Sequence, residues 1–458
     1  MSLPRKMRAM FEKLTAFLRT RQAMAGAILA LAIKGGGAVL MIVVFTIAAR
    51  TMSAHAFGEI AVGFNALSCL AVAAVFGQEN LIVRSWAEYA NRRQFGLMAG
   101  AYRFGWMTSA AATLLACVAL IIGAQFISKP LPLPALGAAV AFLAAQAMLH
   151  YSSHSCRTIH GFRVSEFNRE LTWRIVLLLV VALHLRGDLT LGTFFSAAAF
   201  GMCLSIAIQS FAVYRVFPKE VAVAKPLYAK GEWFERARSM CLSASVEAMG
   251  QYAEVILLGF LVAPTAAATY FIAARIANIF AMISSGLNTY TVTQVSNLHF
   301  AGETEGLQHV LRSVMTVVFV LVTPLFILLI AGASPILSIF GPAYQAGYVP
   351  LIVLASASFI ITLSGPASGI LLMTGAEKLW SRIAILSLVL RVLLMLYLAP
   401  RYGAAGAAVG WAIVNAPVAI FVSLLCRKRC SVDPSALSIF AGSRLLRHAS
   451  RLQQALRS

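Results

Sequence analysis

The chain has 458 residues, 60% of them apolar and 12% charged, with a formal net charge of +21. Soluble domains are about 45–50% apolar and about 25% charged, so this composition, with a mean hydropathy of +0.83, leaves no room for a soluble catalytic domain. The charge by itself would suit nucleic acid, but its placement does not: the basic residues cluster in alternate loops, the distribution that orients a membrane protein.

The first 22 residues carry Met7, Met10, Phe11, Leu14, Phe17 and Leu18 on one helical face, which reads as an amphipathic helix lying in the membrane interface. From Ala23 to Leu425 apolar stretches of about 20 residues, the length that crosses a bilayer as a helix, recur almost without a break. The expected spans are 23–49, 57–80, 104–126, 134–154, 171–186, 189–213, 239–262, 266–296, 311–332, 349–373, 379–398 and 404–425. Ser53-Ala54-His55-Ala56 has the small-residue look of a signal-peptide cleavage site, but the run before it is too long for such a leader. The expected fold is an all-α polytopic membrane protein of about twelve helices in two six-helix lobes, 23–213 and 239–425, with both termini cytoplasmic. A cytoplasmic linker, 214–238, joins the lobes, and a basic tail, 426–458, follows them. Glu170-x-x-Trp173 and Glu377-x-x-Trp380 open the fifth and eleventh spans alike. A six-plus-six plan is common among transporters and puts the substrate between the lobes. Pro366, Pro324 and Pro417 are expected to kink their spans. The cysteines are scattered and no pair faces the oxidising side, so no disulfide is expected.

Ionisable residues inside spans cost about 2.5–3.5 kcal/mol each on insertion scales and so mark wet or paired sites. Lys34, Glu247, Glu254, Arg275 and Arg391 qualify. Glu247, Gln251 and Glu254 follow i, i+4, i+7 on the seventh span and form one polar stripe. Glu247 and Glu254 are the candidates for ion coupling, to H+ or Na+. Lys34, Arg275 and Arg391 are the candidates for an anionic substrate. A competing reading makes Glu254 and Arg275 a structural pair at equal depth across the turn at Pro264-Thr265. Lys34 precedes Gly35-Gly36-Gly37, which permits either a bend or a close helix approach. No phosphate loop, zinc pattern or nucleophile elbow appears. No cofactor or metal is therefore expected, nor an ATPase, and active transport would draw on an ion gradient or on the substrate supply.

Several short motifs run in order along the chain. Ala56-Phe57-Gly58 opens the second span, with Gly77 and Arg84 near its end. Glu254 precedes Leu257-Leu258-Gly259. Tyr270-x-x-Ala273-Ala274-Arg275-Ile276-Ala277, Phe340-Gly341-Pro342-x-Tyr344, Leu371-x-x-Thr374-Gly375 and Tyr402-Gly403-x-x-Gly406-Ala407 follow. In this the chain resembles the polysaccharide (O-antigen, Wzx-type) flippases of the multidrug/oligosaccharidyl-lipid/polysaccharide (MOP) transporter superfamily. It departs from them at Gln294-Val295-Ser296, where a proline is usual, and at Glu254, where aspartate is commoner. The resemblance implies a bacterial inner-membrane protein that moves an undecaprenyl-diphosphate-linked oligosaccharide outward by alternating access. Its partners would be that lipid-linked oligosaccharide, membrane lipids and polysaccharide assembly proteins, with no nucleic acid. An ion-coupled drug or metabolite antiporter of the same superfamily is the alternative, disfavoured by interior cations that outnumber carboxylates. An envelope polymerase or ligase would need larger external loops, and a mere scaffold would have no use for interior charge.

Overall fold

The computed structural model describes residues 29, 32–126, 132–185, 189–284, 304–373 and 376–440. The expected interfacial helix at 1–22, the end of the tail, Gln294-Val295-Ser296 and Thr374-Gly375 lie outside them. The described residues form helices joined by short turns, with no strand among them. Nine of the helical paths are long and apolar enough to cross a membrane.

The first half of the chain contributes α1 (Ala32–Thr51), α2 (Ala54–Ala74), α3 (Gln78–Asn91), α4 (Phe95–Ala124), α5 (Leu133–Ile159), α6 (Phe162–Phe167), α7 (Trp173–Leu183) and α8 (Leu191–Val216). Ser53 caps α2 by accepting from Ala56 N, and Thr190 caps α8 by accepting from Thr193 N, which satisfies amides that have no partner inside the helix. The expected second span is two helices, broken where Phe76 and Gly77 both take positive φ. A π-helical turn, Asn168–Thr172, joins α6 to α7. With that interruption the fifth span is not among the nine.

After a short helix, α9 (Lys219–Val223), the second half begins with α10 (Lys230–Leu261). The expected linker is therefore helical from Lys230 on. Trp233 and Ala237 within it are fully buried, with Trp233 Nε1 donating to Tyr89 Oη at 2.8 Å. Helix α10 is also absent from the nine, because it carries Glu247, Gln251 and Glu254. Then come α11 (Pro264–Ala277), α12 (Thr304–Ala331), α13 (Ala333–Phe340), a 3-10 turn (Pro342–Gly347), α14 (Tyr348–Leu363), α15 (Ala367–Met373), a path traced as one helix, α16 (Glu377–Cys430), and α17 (Leu437–Phe440). Ser364-Gly365-Pro366 does interrupt the tenth span, between α14 and α15. By contrast α12 and α16 continue through Pro324 and Pro417. In α16 the dihedrals leave the helical region at Gly403. Beyond it Gly406 lies against Leu398 and Gly410 against Leu394, so the path doubles back as the expected eleventh and twelfth spans.

The two halves meet chiefly along α2, which packs on both α10 and α11. At one end of the bundle a Cβ on Gly58 would sit 2.0 Å from the Pro264 carbonyl oxygen, so only glycine allows this approach. There too the rings of Phe57 and Tyr344 meet edge to face, and Arg50 Nε donates to the Ile339 carbonyl at 2.6 Å. Further along, Cys69 Sγ lies 3.7 Å from Met249 Sδ, and Cys241 Sγ lies 3.6 Å from the Ala73 carbonyl. The segments that follow α8 and α16 fold back in the same manner. Leu227 N donates to Gly96 O at 2.9 Å beside α4, and Ala436 N donates to Leu363 O at 2.9 Å at the end of α14.

Candidate functional site

Three charged clusters lie inside the bundle, and each is built differently. In the second half Arg391 and Glu254 are nearly buried, at 8% and 5% exposure. Arg391 Nε meets Glu254 Oε1 at 2.8 Å, and its Nη2 donates to the Gly250 carbonyl at 2.8 Å. Tyr270 is an electrostatic neighbour of both. A pair this enclosed persists because each charge would be very costly alone. The competing reading, in which Glu254 pairs with Arg275, is thus overturned: the partner comes from the eleventh span, not from across the adjacent turn.

Arg275 makes no ion pair among the described residues. Its guanidinium lies 4.9 Å from the Phe271 ring centroid and 5.9 Å from those of Phe45 and Phe64. Phe45 contacts the other two rings edge-on, at 4.7 and 5.7 Å. The cage draws on α1, α2 and α11, hence on both halves. Ring faces attract a cation without neutralising it. Tyr252 and Arg174 are its electrostatic neighbours.

The third cluster is a ladder in the first half. Arg157 meets Glu166 at 3.7 Å, Glu166 meets Arg169 at 3.4 Å, Arg169 meets Glu170 at 3.1 Å and Glu170 meets Arg174 at 2.6 Å. Arg174 also stacks over Trp173, 4.7 Å from the ring centroid. The π-helical turn sets Arg169 and Glu170 between α6 and α7. His150, one turn from His154 on α5, is an electrostatic neighbour of Arg169 and Glu170. Helix α1 closes on the top of the ladder through Gly37, where a Cβ would lie 2.8 Å from Arg174 Nη1 and 2.9 Å from the Glu170 carbonyl oxygen. That close approach accounts for Gly37 in the glycine triplet. Three arginines against two glutamates leave one positive charge on the ladder.

The sequence candidates therefore separate. Arg391 and Glu254 neutralise each other, and Arg275 has no acidic partner among the described residues. Lys34 is exposed one turn before Gly37, and Glu247 and Gln251 are exposed on α10 while Glu254, on the same stripe, is buried. A charge exposed to lipid is costly, so a wet interior is the environment that would suit Lys34 and Glu247 best. Arg174 and Arg169 were not among the candidates. The signal was available: Glu166-x-x-Arg169 and Glu170-x-x-x-Arg174 are spaced i, i+3 and i, i+4, the spacings of facing charges on a helix.

Residues 240–397 match the MatE family model. The matched stretch holds Glu247, Glu254, Arg275 and Arg391. Over 214 residues the chain is 24% identical to a probable flippase, AglR, of Haloferax volcanii, an alignment covering 45% of this chain and 43% of that protein. The match thus spans less than half the length of that curated relative. The structure is similar to an inward-facing multidrug resistance MATE transporter of the MOP superfamily, with TM-score 0.64, 14% identity and coverage of 88% of this chain and 98% of that one. It is also similar to the lipid II flippase MurJ in an inward closed conformation, with TM-score 0.69, 12% identity and coverage of 87% of each chain. The fold is that of these multi-pass MOP transporters.

Proposed function

We propose that this protein is a flippase that carries a lipid-linked oligosaccharide, with undecaprenyl diphosphate as the lipid carrier, across the bacterial inner membrane for surface polysaccharide synthesis. One observation carries the reading. Arg275 is held in an aromatic cage assembled from both halves and has no carboxylate partner among the described residues. A diphosphate suits such a guanidinium group, because charge-assisted hydrogen bonds to phosphate oxygens are strong and directional. The flippase similarity supports the same class of cargo. The lipid tail would stay in the bilayer while the sugars occupy the water-facing interior beside Lys34 and Glu247.

With the basic loops placed in the cytoplasm, the contacts of Arg50, Phe57 and Gly58 close the outer side. The conformation is then one that receives cargo from the cytoplasm, and alternating access requires those contacts to part. Glu254 is engaged by Arg391, so the exposed Glu247 is the carboxylate free to exchange H+ or Na+. Membrane lipids and polysaccharide assembly proteins are the expected partners.

Deleting and then restoring the gene in its host tests this. Loss of surface polymer on deletion, with lipid-linked units accumulating at the cytoplasmic face and recovery on restoration, is the expected result. Unchanged polymer together with altered sensitivity to cationic drugs would replace the flippase by the antiporter.

A further inference from the structure

Glu79 is a buried carboxylate that the three interior clusters leave out. It sits in the first turn of α3, directly after the break in the second span, where Phe76 (φ 54°) and Gly77 (φ 68°) both take left-handed backbone. For a phenylalanine that conformation is strained, so its surroundings must hold it. Helix α10 does so. A Cβ on Gly77 would lie 2.5 Å from the Ala237 carbonyl oxygen and 2.8 Å from Cys241 N, and Cys241 Sγ donates to the Ala73 carbonyl at 3.6 Å. The break is thus sealed by a helix from the other half.

Behind that seal Glu79 is 6% exposed. Its Oε1 accepts from Asn80 Nδ2 at 3.3 Å. Its Oε2 has no hydrogen-bond partner among the described residues, nor do Gln78 Nε2 and Ser85 Oγ on the same helix, and buried groups left in this way call for a physical reason. No cation pairs with Glu79 among the described residues. Further along α3, Arg84 is exposed and Glu88 takes up Arg92 and Arg236. From α10 the Cys241 thiol is its electrostatic neighbour. On α4 and α5, Tyr102, His150, Tyr151 and His154 interact with one another, with Cys156 and with the ladder. An enclosed carboxylate without a cation is costly as an anion, while the positive end of α3 favours that anion. The two influences oppose each other, so neither form is locked in. Glu254 differs, because Arg391 fixes its charge at 2.8 Å.

We propose that Glu79 is a proton-binding site, and that its proton is exchanged when α10 lifts from the break at Phe76-Gly77. The carboxylate takes H+ on Oε2 and becomes a neutral carboxyl, and no other bond changes. With α10 seated the neutral form is favoured; with α10 lifted, water reaches the group and the ion is favoured. Proton binding therefore favours the contact between the halves, by linkage. The site is separate from Glu247 and does not depend on what the interior carries.

Infrared spectroscopy of the purified full chain in lipid nanodiscs reads the proton directly, without cargo. Spectra of wild type, Glu79→Gln, Glu79→Met and Glu247→Gln are compared as the buffer is taken from acid to alkaline. The expected result is a carboxyl C=O band in wild type that is lost in alkaline buffer, is missing from both Glu79 variants and persists in Glu247→Gln. The link to α10 is read at Cys241, kept as the sole cysteine. Once the band has gone, a maleimide should label it faster in wild type than in Glu79→Gln, and before that at the same rate. A spectrum that neither Glu79 variant alters at any pH overturns the inference, as does a band that survives in alkaline buffer. Equal labelling of Cys241 with and without Glu79 at every pH overturns the link to α10. Thermal unfolding confirms that the variants are folded, and the host polysaccharide assay reports separately on the flippase reading.

Discussion

The two halves of the chain bury charge in opposite ways. The second half closes its account in one step, with Glu254 and Arg391 matched at 2.8 Å. The first half strings five charged groups from Arg157 to Arg174 and ends with a surplus cation. A matched pair offers nothing to a ligand. A ladder with an unbalanced end does, because the last guanidinium can turn from its glutamate to an incoming anion. The proposed cargo site is accordingly placed at Arg275 and the cationic end of the ladder, and the Glu254–Arg391 pair anchors α10 to α16.

This contrast can be broken in stages. Removing one member of the closed pair leaves a buried charge alone, so Glu254→Ala or Arg391→Ala should each cost about 3–5 kcal/mol, whereas an apolar replacement of both should cost much less. Thermal unfolding of the purified variants checks this, and equal losses in the single and double variants would count against it. Next in size is the contact between the halves. Gly58→Ala forces a methyl group against the Pro264 carbonyl, and overpacking of this kind costs about 1–3 kcal/mol. That end of the bundle should open, raising the labelling of a cysteine placed at Phe57 by a membrane-impermeant maleimide in a cysteine-free background. At the ladder, Glu170→Gln keeps the shape but releases Arg169 and Arg174, and transport should fall while stability changes by about 1 kcal/mol. Smallest is Arg275→Lys, which keeps the charge and loses only part of its ring stacking, about 0.5 kcal/mol. Transport should be partly retained there and lost in Arg275→Ala.

Much of the architecture was legible because membrane helices announce themselves by apolar length. The breaks were less so. Phe76-Gly77 interrupts the second span within an otherwise helical run, and the lengthening of α10 through Trp233 depends on a hydrogen bond to Tyr89, far away in sequence. For the site, Arg275 stood out as a lone cation in an apolar span. Its aromatic cage did not, because Phe45 and Phe64 look like ordinary apolar residues until three helices bring them together. The partner of Glu254 was misjudged for a related reason. Equal depth across the turn at Pro264 suggested Arg275, but the partner depends on which distant helix packs beside α10, and that helix brings Arg391. Arg174 escaped because it lies near the start of a span, where a basic residue usually anchors the helix at the interface.

The most direct test of the central claim is translocation itself. Vesicles containing the purified protein would be loaded with a fluorescent undecaprenyl-diphosphate oligosaccharide, and transfer between leaflets followed by quenching from outside. Wild-type protein should accelerate transfer, Arg174→Ala and Arg275→Ala should each slow it strongly, and Arg391→Lys should slow it less than either. Transfer at the wild-type rate in folded Arg174→Ala/Arg275→Ala would contradict the account.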